Sequence, residues 1–330
     1  MTRICWHRRR RQRGAALLTA MVIVALIATL ASSMVWQQWR AVQVEAAERS
    51  RAQSAWILAG ALDWARLILR EDARAGGTDH LGEPWAVPLA EARLSTFLAA
   101  DTSNTDDAPD AFLSGSITDA QARYNLTNLV GAGTVDKVEM EALQRLCETI
   151  GVSADVATRI ASGMRDASPI APPAAGASGA AAVSEKPVDP PLLPRSASQL
   201  GWLGVDAEAL RALEPYVVIL PETTKVNVNT ASREVLVAAV PGLDLATAER
   251  IIQSRTRAPL KSPADLQALV PGLPPASIER VGVSSSFFEV RGRLRLGDMA
   301  LEQRSLLQRR GLEVVVLQRE RVSSRDPSGS

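Results

Sequence analysis

The sequence predicts an α+β protein: a long N-terminal helix packed on a small antiparallel sheet, with an all-α domain inserted between strands of that sheet. Three observations predict it. After Gly14 no charged side chain occurs before Arg40, and Gly60 is the only glycine between Gly14 and Gly76. Three short strand-like segments close the chain, at 287–296, 299–307 and 312–319. Between these ends, Pro-Gly-Leu occurs twice, at 241–243 and 271–273, each time beside amphipathic helical segments.

The chain opens with Arg3, Arg8, Arg9, Arg10, Arg11 and Arg13 and no acid before Gly14. A bilayer core needs about 20 apolar residues of helix, and 15–35 supply them with only Thr19, Thr29, Ser32 and Ser33 as polar interruptions. The run can therefore span. An ordinary secretory signal is shorter and ends in a small-residue cleavage site, a reading that 28–33 alone would serve. The arginines place the N-terminus in the cytoplasm, and Trp36 and Trp39 beside Arg40 suit the outer interface. The first proline is Pro84, so 15–75 can form one rod of about 90 Å at 1.5 Å per residue. Beyond the span, Ile57, Ala61, Trp64 and Ile68 recur at helical spacing and predict the face that meets the sheet.

Gly76 and Gly77 end the rod, and 89–100 reads as a short helix with Leu94, Phe97 and Leu98 inward. A loop with Asp101, Asp106, Asp107 and Asp110 follows; it lacks the spacing and glycine of a calcium-hand loop and reads as a solvated turn. A strand is predicted at 111–119, then two helices at 136–150 and 153–164 split by Gly151. Segment 168–194, rich in proline, alanine and glycine, cannot bury a core and reads as a flexible loop. A helix near 206–214 precedes a compact helical block. There Asn227, Asn229, Thr230 and Ala231 lead into a helix at 232–240, and Asp244 caps another at 245–255. Ser262 as N-cap, Pro263 at the first helical position and Asp265 at the third start the second hairpin. Gly297 with Asp298, and Arg310 with Gly311, make the turns between the last strands. Strands this short need another face to bury themselves, and the N-terminal helix is the available one.

Length suggests two or three domains. The boundaries read 1–14 leader, 15–39 membrane helix, 40–125 first part of the sheet domain, 126–222 inserted helical domain, 223–283 hairpin subdomain, 284–322 C-terminal strands and 323–330 disordered tail. The formal charge is +1, and loss of a leader with six arginines would leave −5, a poor balance for gripping phosphate backbones. Of two cysteines, Cys5 lies in the leader, so Cys147 has no intramolecular disulfide partner after cleavage and reads as a buried small hydrophobe. The only histidines are His7 and His80, so neither a multi-histidine zinc site nor a histidine-paired nucleophile can be built in the cleaved chain. No enzyme and no cofactor is expected.

The basic leader ending at Gly14 resembles a type IV prepilin-like leader, cut between Gly14 and Ala15, with Thr19 at the fifth mature position where glutamate is usual. The block from Val226 is similar to the paired helix-hairpin-helix motifs of competence-type DNA-binding proteins. There a glycine-rich hairpin offers backbone N–H groups to a phosphate; here Asp244 stands at that place, and 226–282 carry six cations against five acids. The motif therefore reads as a structural hairpin for protein packing, and no nucleic acid is expected. A membrane-anchored DNA-uptake protein and a minor pilin of a type IV pilus are the alternatives.

Leader, helix, the 119–128 segment, the Asn227 to Ala231 run and the terminal strands together resemble the large minor pseudopilins of type II secretion systems, the general secretion pathway protein K family. The resemblance implies a pilin-like domain carrying sterile-alpha-motif-like (SAM-like) helical hairpins and N-methylation at Ala15. It implies a tip complex with other minor pseudopilins, contact with prepilin peptidase, the inner-membrane assembly platform and membrane lipid, and a single-pass inner-membrane location with the C-terminal bulk in the periplasm. It also implies a role in initiating the pseudopilus and exporting folded proteins. The family's acid-rich loop is associated with calcium; here Asp166, Glu185 and Asp189 are scattered, so calcium rests on resemblance alone and no ligands are identifiable. Thr19 fits a subunit that enters first: a fifth-position carboxylate neutralises the terminal ammonium of an earlier neighbour, and the first subunit has none. We predict cleavage after Gly14; intact mass of the membrane-extracted protein should begin at Ala15, and a start near Ser32 would refute the pseudopilin reading.

Overall fold

The computed structural model describes residues 12–94, 111–168, 190–296 and 299–322. These fall into two compact units divided between Ala59 and Gly60. Helix α1, Gln12–Ala75, runs through the division. In the first unit, every described side chain from Ala15 to Arg49 is exposed, and Trp36 and Trp39 stack with ring centroids 5.5 Å apart.

In the second unit the chain continues through β1 (Leu89–Arg93), β2 (Ala111–Asp119), β3 (Tyr124–Asn125), β4 (Val130–Gly131) and β5 (Thr134–Val135). Helices α2 (Lys137–Thr149), α3 (Ala154–Ala167) and α4 (Ala207–Leu213) follow, then β6 (Val217–Val218) and β7 (Val226–Asn227). Next come α5 (Arg233–Ala239), α6 (Leu245–Arg257), α7 (Ala264–Leu269) and β8 (Val281–Gly282). The chain closes with β9 (Phe287–Leu296), β10 (Met299–Arg310) and β11 (Glu313–Val322). One five-stranded sheet has the order β1-β2-β9-β10-β11, with antiparallel pairs throughout. Everything between β2 and β9 is therefore an insertion between neighbouring strands.

The inner face of the sheet follows from the two-residue period of strands. Ile117 pairs with Val290, and Phe288 with Leu307; with Val314 and Trp85 they bury Leu62, Ala65 and Leu69 of α1. Trp85 meets Phe288 edge-on at 5.3 Å, a geometry aromatic quadrupoles favour. Arg66 adds a tether, its Nε donating to the Val314 carbonyl at 3.0 Å. The stripe Ile57, Ala61, Trp64, Ile68 is corrected here. In this unit the sheet takes the neighbouring row Leu62, Ala65 and Leu69, Ile68 lies at its margin, and Trp64 is 49% exposed. Both rows have helical spacing about 100° apart; spacing alone cannot choose between them.

Two further expectations change. Leu89–Arg93 is a strand, because Ala92 and Arg93 pair with Leu113 and Phe112 across a free edge of β2. The Arg93 guanidinium lies 5.7 Å from the Phe112 ring centre. The rest of the expected 89–100 helix beyond Leu94 lies outside the described residues, as do the acidic loop, most of 168–194, the Gly297-Asp298 turn and the tail. The last two strands run past the expected ends at 307 and 319, since Gln308, Arg309 and Arg310 pair with Val315, Val314 and Glu313, and Glu320, Arg321 and Val322 with Arg304, Gln303 and Glu302. Their joining turn uses Gly311 at φ +60°.

The insertion has its own core. A contiguous apolar cluster runs from Tyr124 through Leu143, Leu146, Ile160, Leu200, Leu236 and Ile251 to Val281. Its ends close by parallel pairs, β3 with β6 and β7 with β8. Leu69 on α1 is fully buried; Leu69→Ala should lower stability by about 2–5 kcal/mol, measured by urea unfolding of the purified protein, with secondary structure retained.

Candidate functional site: anchor helix and buried joint

The anchor is built from residues that satisfy themselves. An 18-residue window within α1 reaches a mean hydropathy of 2.4. Hydrocarbon supplies no partner for a hydroxyl, so each one bonds back into the helix. Thr19 Oγ1 donates to the carbonyls of Ala15 and Ala16 at 3.1 and 2.9 Å. Thr29, Ser32 and Ser33 do the same to Leu26, Ala28 and Leu30. Gly14 and Ala15 lie in the helix near its start, and Thr19 touches the Ala15 carbonyl one turn on. An ionised glutamate accepts only and could not be satisfied this way.

The second constellation joins insertion to sheet. Asp119, at the end of β2, is 4% exposed. Its Oδ2 accepts from Thr230 Oγ1 at 2.6 Å, Ser285 Oγ at 2.6 Å and Asn227 Nδ2 at 2.9 Å. Its Oδ1 accepts from the Gln121 N–H at 2.8 Å. Burial pushes this carboxyl above its ordinary pKa, and the four donors oppose the shift. Asn227 Nδ2 also donates to the Asp79 carbonyl at 3.0 Å. The Ser285 N–H donates to Asp79 Oδ2 at 2.6 Å. Arg309 of β10 closes the node: its Nη2 donates to Asp79 Oδ1 and Oδ2 at 2.5 and 2.8 Å, and its Nη1 to Asp72 Oδ2 at 2.6 Å. Gln121 spans the two crossings, donating to the Lys225 carbonyl at 3.1 Å and accepting from the Ser286 N–H at 2.6 Å. A flanking tie runs from Arg123 Nη2 to Glu289 Oε2 at 2.8 Å.

Asparagines brace the insertion internally. The Asn128 amide donates to the Thr224 carbonyl and accepts from its N–H, at 2.8 and 3.0 Å. Asn229 treats Leu260 likewise, at 3.0 and 2.9 Å. The sequence marks Asn227, Asn229, Thr230 and the 119–128 segment, which holds Asp119, Asn125 and Asn128, but not Asp79, Ser285 or Arg309. The asparagine runs do carry a signal of their own: Arg123-Tyr124-Asn125-Leu126 recurs as Lys225-Val226-Asn227-Val228. Each run starts a parallel pair and leads to a hairpin whose glycine, Gly151 or Gly242, has φ of +75° or +85°. Only a residue without Cβ adopts that freely.

Two polar groups of the hairpins bond to the insertion's own backbone. Asp244 Oδ1 accepts from the Thr247 N–H at 2.6 Å, and that bond holds the exposed carboxyl below its usual range. Arg255 is buried, donates to the Val228 carbonyl, and is lowered to about 10 by burial. The expected Ser262 cap is corrected: Asp265 Oδ2 accepts from the N–H groups of Lys261 and Ser262 at 2.8 and 3.0 Å. Ser262 Oγ donates to Asp265 Oδ1 at 3.1 Å, so the aspartate does the capping. Cys147 is fully buried, and burial pushes its thiol up to about 11, the state of an inert core residue.

For calcium, Asp166 pairs with Arg165, and Glu185 and Asp189 lie outside the described residues. Among the described residues, Asp72, Asp79 and Glu83 bring carboxylate oxygens within 4.8 Å of one another. They do not fit a metal, because the Arg309 guanidinium is paired with Asp72 and Asp79 and Glu83 Oε2 is taken by the His80 N–H and Trp85 Nε1–H.

Asn227→Ala should cost about 1–3 kcal/mol, since it strips a donor from the buried Asp119 carboxylate. Denaturant unfolding should show the loss, and limited proteolysis should cut near 225–230 and 283–286 faster.

Two family models described as type II secretion system protein K match residues 122–222 and 226–284. The type II secretion system protein K of Klebsiella pneumoniae is 30% identical over 329 residues, covering 94% of this chain and 96% of the relative. That of Pseudomonas aeruginosa is 29% identical over 315 residues, covering 91% and 90%. A chain of the GspK-GspI-GspJ complex of enterotoxigenic Escherichia coli superposes with a TM-score of 0.65 at 21% identity, covering 84% of this chain and 99% of that one; it shares the fold. With the apolar anchor, the inserted helices and the joint described above, this chain belongs to the type II secretion system protein K family.

Proposed function

We propose that this protein is the minor pseudopilin at the tip of a type II secretion pseudopilus, and takes part in initiating its assembly and in exporting folded proteins across the outer membrane. The observation that carries the tip position is Thr19. Its hydroxyl is satisfied by its own helix, so it carries no charge that calls for an earlier subunit's ammonium. A charge inside a bilayer is expensive and calls for a partner. Prepilin peptidase cuts after Gly14, Ala15 is N-methylated, and the anchor sits in lipid of the inner membrane at the assembly platform, leaving the C-terminal bulk in the periplasm. The solved GspK-GspI-GspJ complex supports two other minor pseudopilins as partners. The exposed Trp64 and Leu67 on α1 offer them an apolar face.

The helical insertion is read as SAM-like hairpins serving protein packing, with no catalytic and no nucleic-acid role; the internally used Asp244 and Arg255 support that reading. Full-length Thr19→Glu should bring no gain in secretion and should reduce it, whereas Thr19→Ala should stay near the unaltered level. Secretion assays and co-immunoprecipitation of the other minor pseudopilins check this. Glutamate improving assembly while alanine abolishes it would remove the tip position.

A further inference from the structure

The Arg309 guanidinium donates to a set of acceptors that are all oxygens. It contacts Asp72 Oδ2, both carboxylate oxygens of Asp79 and, at 2.9 Å, the Ser285 carbonyl. Hard divalent cations select donor sets of this kind, carboxylates with backbone carbonyls. Glu83 is the third carboxylate of the group. Its Oε2 is taken up by the His80 N–H and Trp85 Nε1–H, both at 2.8 Å. The face of the guanidinium stands 4.8 Å from the Phe288 ring centre, a contact that suits a flat, weakly hydrated cation and not a metal ion. Beside these oxygens, an open cavity of about 320 Å³ lined by Asp72, Gly76, Asp79, Glu83 and Ser285 gives hydrated ions access.

We propose that Arg309 is the resident cation of this oxygen set, and that it does for the joint between α1, β10 and the insertion what a divalent ion would otherwise do. The joint therefore needs no metal, and only loss of the guanidinium turns the carboxylates into a divalent-cation site. The charge balance favours this arrangement. Asp72 and Asp79 converge from the end of α1 and the loop after it, and without a cation between them they would repel across a half-buried space. A guanidinium can serve both at once because its two Nη atoms point to different carboxylates.

The test is thermal unfolding of the purified full-length chain in detergent, with millimolar calcium or with EDTA. For the unaltered protein, any calcium response should persist in Asp72→Asn. Arg309→Met should melt several degrees lower in EDTA, regain part of that loss in calcium, and lose the regain when Asp72→Asn is added. A calcium response of the unaltered protein that Asp72→Asn abolishes would overturn the proposal. So would a folded Arg309→Met indifferent to calcium. The first comparison stands whether or not Arg309→Met folds.

Discussion

A carboxylate that water does not reach determines where the insertion can sit. Asp119 is 4% exposed, and among the described residues its carboxylate is bonded by uncharged donors. Its stability depends on four donors drawn from the turn after β2, the start of the hairpin block and the return to β9. A hydrogen bond to a charged group contributes about 1.5–3 kcal/mol, and a lost one leaves a buried charge short of a donor. Tilting the insertion would break several of these at once. The joint is therefore discrete: formed in one geometry or not formed. Asp79 and Arg309 extend the same logic from the insertion back to the end of α1.

The two parts of α1 solve the solvent problem differently. Within the span, hydroxyls turn back on their own carbonyls, so the helix surface presents no unmet polar group. Past Gly60, Leu62, Ala65 and Leu69 face the sheet. A helix with two adjacent apolar rows can bury only one against a single sheet; the other, with Trp64 and Leu67, stays exposed. That leftover face follows directly from the sequence carrying more apolar surface than one sheet can cover.

Much of this was legible without coordinates. The span, the β2 strand, the three final strands, the hairpin glycines and the Asp244 cap all follow from local patterns: charge gaps, alternation, φ-permissive glycines and short polar side chains before helices. Three of the misreadings share one cause. The row on α1, the strand at Leu89–Arg93 and the extra length of β10 and β11 are decided by what lies across from them. Local spacing does not contain that information. The joint was half legible for the same reason. Asp119 and Asn227 stand in recognisable runs, whereas Asp79, Ser285 and Arg309 are single polar residues whose partners lie far along the chain.

The hairpins show how one backbone motif separates from the ligand it is known for. A positive-φ glycine and a helix N-terminus define the hairpin, and Gly242 at +85° meets that demand. Whether its N–H groups meet a phosphate depends on what else is at hand. Asp244 occupies the position with its own carboxylate, accepting the N–H that an anion would take. Arg255, which could have supplied charge, is turned into the core toward Val228. Asn229 then joins the first hairpin to the second through Leu260. Val240, Leu243, Ala248 and Ile251 around it are all buried in the common cluster. Asp244 and Arg255 are thus spent on the insertion's own backbone, and the hairpin forms a corner of the insertion's core.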